Sequence, residues 1–178
     1  MRPRILGLGN ELLGDDAVGV LAARQIGAEL VDQVEVVETS VYGLALLDVI
    51  LGCRQLVIID AIKTGQVPPG TVIQLDPASL DHVVAPSPHY SGLPEMRALA
   101  QRLNLDFPDQ IAIFAVEIAD GSRLEVRLSE EVKAGLITVV QRVRSHLAEW
   151  TVSPTLLPDQ VPDGRVEQLP PRWRETVR

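Results

Sequence analysis

The sequence predicts an α/β protein, a three-layer sandwich around a largely parallel, doubly wound sheet with helices on both faces. Three observations predict it. Short apolar runs alternate along the chain with stretches whose apolar residues recur at helical spacing. Those runs are continuous rather than alternating, as strands covered on both faces require. Helices separate most of the strands, and the right-handed crossover rule then spreads them over the two faces.

Taken in order, Ile5, Leu6 and Leu8 form a first buried strand that leaves through Gly7-Leu8-Gly9-Asn10. From Asp15 the period changes. Val18, Leu21, Ala22, Ile26 and Leu30 mark a helix, with acids at its start that suit the helix dipole. Residues 34–38 read as a strand, and Leu44, Leu47 and Leu51 as a helix. Residues 55–60 give the strongest strand signal, ending on Asp60, and residues 71–75 give a fourth strand. After a Pro-rich loop, Met96, Leu99, Ala100 and Leu103 mark a helix with Pro94 in its first turn. Residues 111–118 form the fifth strand. Ser129 with Glu130 and Glu131 opens a last helix, whose inner face carries Val132, Leu136, Val139, Val140, Val143 and Leu147. No internal repeat is present.

The division expected is a domain over residues 1–150 and an extension over 151–178. The extension holds five of the 13 prolines and shows neither period, so an extended or disordered tail is expected, with Trp173 its one bulky anchor. A body of this size buries about 70% of its unfolded surface and needs no staples. The single cysteine, Cys53, allows no internal disulfide, which suits a reducing cytoplasm. The apolar run near Met1 is too short for a signal-peptide core, and no stretch approaches the roughly 20 residues of a membrane span. Sixteen basic residues face 24 acidic ones, and the whole excess of −8 sits on residues 1–150. Such a body repels phosphate backbones, so nucleic acid is excluded as the main partner.

In an open parallel sheet, ligands collect beyond the carboxyl ends of the strands. The first strand exits toward Asp15 and Asp16, the central strand ends on Asp60, and the loop after the fourth strand carries Ser87-Pro88-His89. Topology brings these three distant segments to one edge. Two carboxylates and an imidazole there make a site for a divalent metal with open positions. Each residue also has a plainer reading. Asp15 and Asp16 cap a helix, Asp60 bonds the turn that follows it, and His89 is a solvated loop residue.

Other motifs fare worse. Gly7-Leu8-Gly9 begins like a dinucleotide fingerprint, but Leu12 stands where the third glycine belongs, and Asp15 and Asp16 sit where a pyrophosphate docks. Cys53 has no base beside it in sequence and reads as a buried thiol. His82 lies in a loop, and His146, late in the last helix, reads as a partner for that helix's C-terminus. Gly7 and Gly9 let the backbone turn tightly and let a substrate chain approach, since neither has a Cβ.

The same residues carry a family resemblance. Residues 5–19, Ile-Leu-Gly-Leu-Gly-Asn-Glu-Leu-Leu-Gly-Asp-Asp-Ala-Val-Gly, resemble the opening motif of the hydrogenase maturation endopeptidases. Residues 57–62 resemble that family's central strand, and Ser87-Pro88-His89 with Gly92-Leu93 resembles its histidine loop. Order and spacing match, over about residues 4–148. The resemblance implies a metal-contacting trio of Asp16, Asp60 and His89. The family often has glutamate at the first of these positions, and aspartate keeps the ligand type. The family's glycine-rich segment after the second strand is here Glu38-Thr39-Ser40-Val41-Tyr42-Gly43, and Glu117 is a further edge residue.

The implied activity is that of an aspartic or metal-dependent endopeptidase. It removes the C-terminal extension of the nickel-loaded large-subunit precursor of a nickel–iron hydrogenase. The implied nickel is supplied by that precursor rather than resident. The trio either holds a metal that polarises the scissile carbonyl or activates water, or it docks the nickel while Asp15 or Glu38 assists water attack. Three rivals remain to be compared. Peptidyl-tRNA hydrolase shares the Gly-Leu-Gly-Asn turn, but Glu11 stands where its proline belongs and the body is acidic. A nucleotide-binding protein is opposed by the broken fingerprint. A metal-dependent precursor-binding protein or chaperone, cutting no bond, has the same site residues. The sequence leaves the oligomeric state open.

Overall fold

A computed structural model describes residues 1–77 and 92–152. The loop carrying Ser87, Pro88 and His89, together with His82 and the tail from residue 153 onward, lies outside the described residues. Five strands form one sheet: β1 (Arg4–Leu8), β2 (Glu35–Thr39), β3 (Gln55–Ile62), β4 (Val72–Leu75) and β5 (Gln110–Glu117). Their order is β2-β1-β3-β5-β4. The pairs β1–β2, β1–β3 and β3–β5 are parallel, and only the edge strand β4 runs antiparallel, against β5. The largely parallel sheet expected from the apolar runs is therefore present.

The helices are α1 (Val18–Glu29), α2 (Leu47–Ile50), α3 (Leu93–Leu103) and α4 (Glu130–Val152). They cover both faces because successive strand residues point to opposite sides. Ile5, Val57, Ile59, Phe114 and Val116 pack with Val18, Ala22 and Ile26 of α1 and with Val139 and Val143 of α4. Leu6, Leu8, Leu56, Ile58, Ile62 and Ile113 pack on the other side with Ile50 of α2 and with Leu93 and Met96 of α3. From β1 the chain steps outward to β2, then returns across β1 to β3. The right-handed rule places α1 and α2 on opposite faces for that reversal. The strand order reverses between the carboxyl ends of β1 and β3, the place where open parallel sheets form their ligand crevice.

Two expectations change. The central strand does not end on Asp60, because Ala61 and Ile62 stay in register with Val116 and Glu117 of β5. Gly7 does not open the backbone to substrate. A Cβ there would lie 2.6 Å from Gly19 O and 2.7 Å from the Ala23 Cβ, so the missing side chain lets α1 lie flat on β1.

Candidate functional site at the β1–β3 crevice

The loop leaving β1 turns back through Gly9, whose φ of +136° is open to glycine. A Cβ at Gly9 would lie 1.9 Å from Asp16 O, so the turn closes only without one. The chain then enters a 3-10 turn, Gly14–Ala17, that carries Asp15 and Asp16 into α1. Asp16 is half-buried, and its Oδ2 accepts a 2.7 Å hydrogen bond from Asn10 N, which fixes the carboxylate over the end of β1. On its other side runs the loop after β5. A Cβ built on Gly121 would stand 3.6 Å from Asp16 Oδ1. Two residues without side chains thus flank this carboxylate.

Asp60 lies on the neighbouring strand. Gly7 is in register with Ile59, so the next positions along, Leu8 and Asp60, come level. Asp60 occupies the sheet face of Ile58 and Ile62 and is fully buried, and its Oδ1 accepts from Ala61 N at 2.9 Å. A carboxylate in a fully buried row of aliphatics stays there only when it is hydrogen-bonded or paired, and Ala61 N supplies one such partner. The register thus sets Asp60 level with the end of β1, the end over which Asp16 is held. His89, the third expected member, is outside the described residues. Among the described residues, no group of three His, Cys, Asp or Glu side chains has the geometry to hold a metal ion.

The other acids are committed elsewhere. Asp15 caps no turn of its own helix. Its Oδ1 accepts from Ser129 N at 2.7 Å and its Oδ2 from Ser129 Oγ at 2.9 Å, tying the start of α4 to the β1 loop. Glu38, at the end of β2, receives Arg24 Nε at 3.0 Å and Nη2 at 2.6 Å. The same guanidinium reaches Glu11 at 2.8 and 3.1 Å, and that hydrogen bonding holds the Glu11 carboxyl below its ordinary value. Glu117 is buried and accepts from Thr64 N, Thr64 Oγ1 and Gly65 N at 2.6–2.7 Å, so it pins the loop after β3.

Cys53 is buried, its thiol donates to Ile50 O at 3.4 Å, and burial pushes its pKa up, as a structural thiol requires. His146 does not serve the end of α4, which continues to Val152. Its ring lies edge-on between Phe114 and Trp150, at 5.6 and 4.6 Å. Sequence reasoning missed the Arg24 clamp, the Asp15–Ser129 tie and the approach of Gly121 to Asp16. All three join segments remote in sequence, and none has a local signal.

Comparison with known proteins shows the family. The family model for hydrogenase maturation proteases matches residues 20–146, a span that includes Asp60 and position 89. The chain belongs to the hydrogenase maturation protease family. It is 30% identical over 155 residues to the hydrogenase 2 maturation protease of Escherichia coli K12, covering 84% of this chain and 92% of that one. Among solved structures, it matches the hydrogenase maturating endopeptidase HybD from E. coli with a TM-score of 0.69 at 29% identity, over 84% of this chain and 93% of the other. It matches the [NiFe] hydrogenase maturation protease HybD from Thermococcus kodakarensis with a TM-score of 0.65 at 30% identity, over 83% and 99%. As a member of a maturation protease family, the chain is a peptidase. Among the described residues, no helix of this protease is long and apolar enough to cross a membrane.

Proposed function

We propose that this protease removes the C-terminal extension of a nickel–iron hydrogenase large-subunit precursor after nickel has been inserted, with Asp16, Asp60 and His89 meeting that nickel. The observation that carries the reading is the pair Asp16 and Asp60 at the strand-order reversal, each held by a backbone N–H. Carboxylate and imidazole donors suit a borderline divalent ion. The nickel is part of the substrate, and the setting is the cytoplasm.

The reaction is a hydrolysis. Water adds to the scissile carbonyl carbon, the C–N bond breaks, and the water's protons end on the new carboxyl group and the leaving amine, each in its equilibrium protonation state. Docking the nickel fixes the peptide bond against the crevice, which lowers the entropic part of the barrier. In this proposal the carboxylate that accepts the water's proton belongs to the trio, which leaves Asp15 bonded to Ser129 and Glu38 to Arg24. This makes the protease aspartic in its proton handling and metal-dependent in its substrate.

The test is cleavage of nickel-loaded precursor by Asp16→Asn, Asp60→Asn and His89→Ala. Each is expected to lose at least about 100-fold in rate, the scale of a lost general base. Glu38→Gln and Asp15→Asn are expected to lose far less per folded molecule. Near-normal turnover by any trio variant contradicts the assignment of that residue.

A further inference from the structure

We infer that Leu12, Leu124 and Val126 form an apolar docking ridge beside Asp16 that seats the precursor segment next to the bond to be cut. The inference rests on the proposed peptidase reading and adds where that substrate binds.

The ridge is built by backbone pairing. The loop leaving β1 runs parallel to the loop between β5 and α4, with Leu13 opposite Glu125. Glu125 N donates to Leu12 O at 3.1 Å, and Gly14 N donates to Glu125 O at 2.6 Å. Both polar backbone groups of Glu125 are thereby used, which fixes the two loops to each other. The Glu125 side chain turns toward a cleft of about 360 Å³ that is also lined by Asp15, Arg127 and Ser129. Its chain neighbours Leu124 and Val126 are 86% and 80% exposed. Leu12 is 59% exposed.

The backbone bonds alone account for the ribbon, and polar side chains would leave them intact. Three bare aliphatics add nothing to either core, so the fold does not explain them. Their position does. Leu12 lies four residues before Asp16 in the same loop, and Leu124 and Val126 follow Gly121, which passes against the Asp16 carboxylate. Tyr42 and Leu44, also exposed, leave the carboxyl end of β2 at this same edge. Thus five of the ten exposed large apolar residues described belong to loops at the crevice edge. Contiguous apolar surface at a polar rim marks a protein-binding site.

The ridge belongs to the two loops that border Asp16, and charge selects the occupant. A second copy would bring another −8 against this body, whereas a neutral or basic apolar segment meets no such repulsion. The occupant is the precursor chain beside its scissile bond.

The experiment measures initial rates by intact mass over a range of nickel-loaded precursor concentrations, using the full-length protein. Leu124→Ser/Val126→Ser is expected to raise KM about tenfold, equivalent to about 1.4 kcal/mol, with the loss carried by KM rather than kcat. Leu12→Ser should shift KM the same way. Val31→Ser/Leu103→Ser removes comparably exposed residues from the opposite edge of the sheet and should leave KM unchanged. An unchanged KM in the ridge variant, with wild type active and the variant folded by circular dichroism, overturns the ridge and leaves the peptidase reading standing. An equal rise in the opposite-edge variant also overturns it, as does sedimentation showing a wild-type dimer that the ridge variant dissolves. Wild-type protein that binds loaded precursor without cutting it overturns the peptidase reading instead.

Discussion

At the scale of single residues, one set of acids is structural, each member bonded to a segment remote in sequence. Asp15, Glu38 and Glu117 each satisfy a remote segment: the start of α4, Arg24, and the loop after β3. Asp16 and Asp60 take bonds from backbone N–H groups one strand apart at the crevice. Cys53 belongs to the structural set, since burial raises its pKa and so keeps it a protonated, unreactive thiol. A raised pKa means that its contribution to stability is complete below the unfolded thiol's value. That contribution is lost as pH rises through the folded value. Near pH 8, a thiol reagent is expected to label the folded protein at least about 100-fold more slowly than the urea-unfolded chain, since labelling must wait for opening. Equal labelling rates would show the thiol to be accessible.

At the scale of elements, the sheet joins its pieces through side chains that bridge distant loops, and α4 is the clearest case. Ser129 caps it through Oγ to Val132 N at 3.4 Å, and Asp15 holds Ser129 in turn. Asp15→Ala removes two charge-assisted bonds at a helix start and should destabilise the fold by about 1–2 kcal/mol in urea titration. Cleavage per folded molecule should largely persist. Such ties explain what the sequence showed and what it hid. Strand and helix periods were legible because they depend on neighbours a few residues apart. Asp16 and Asp60 were legible as edge residues, because a parallel sheet dictates where its strands end. The partner of Asp15 lies 114 residues away, and no local pattern announces a bond of that span. The extension of β3 past Asp60 was hidden for the same reason, because its last two residues are held by pairing with β5.

At the scale of the whole molecule, an acidic body presents one edge that combines carboxylates and exposed apolar residues. That combination suits a protein substrate bearing a cation, read by docking before any bond is cut. Family membership places the chain among hydrogenase maturation proteases, and the proposed site lies at the strand-order reversal. The most direct test is to incubate the protein with a C-terminally extended hydrogenase large subunit, with and without nickel loaded, and to read the products by intact mass. The account predicts release of a single C-terminal peptide from the loaded precursor and no mass change in the unloaded one. Equal cleavage of both would contradict the role given to nickel. Binding to the loaded precursor with no peptide released, while another processing enzyme cuts the same sample, would contradict the peptidase itself.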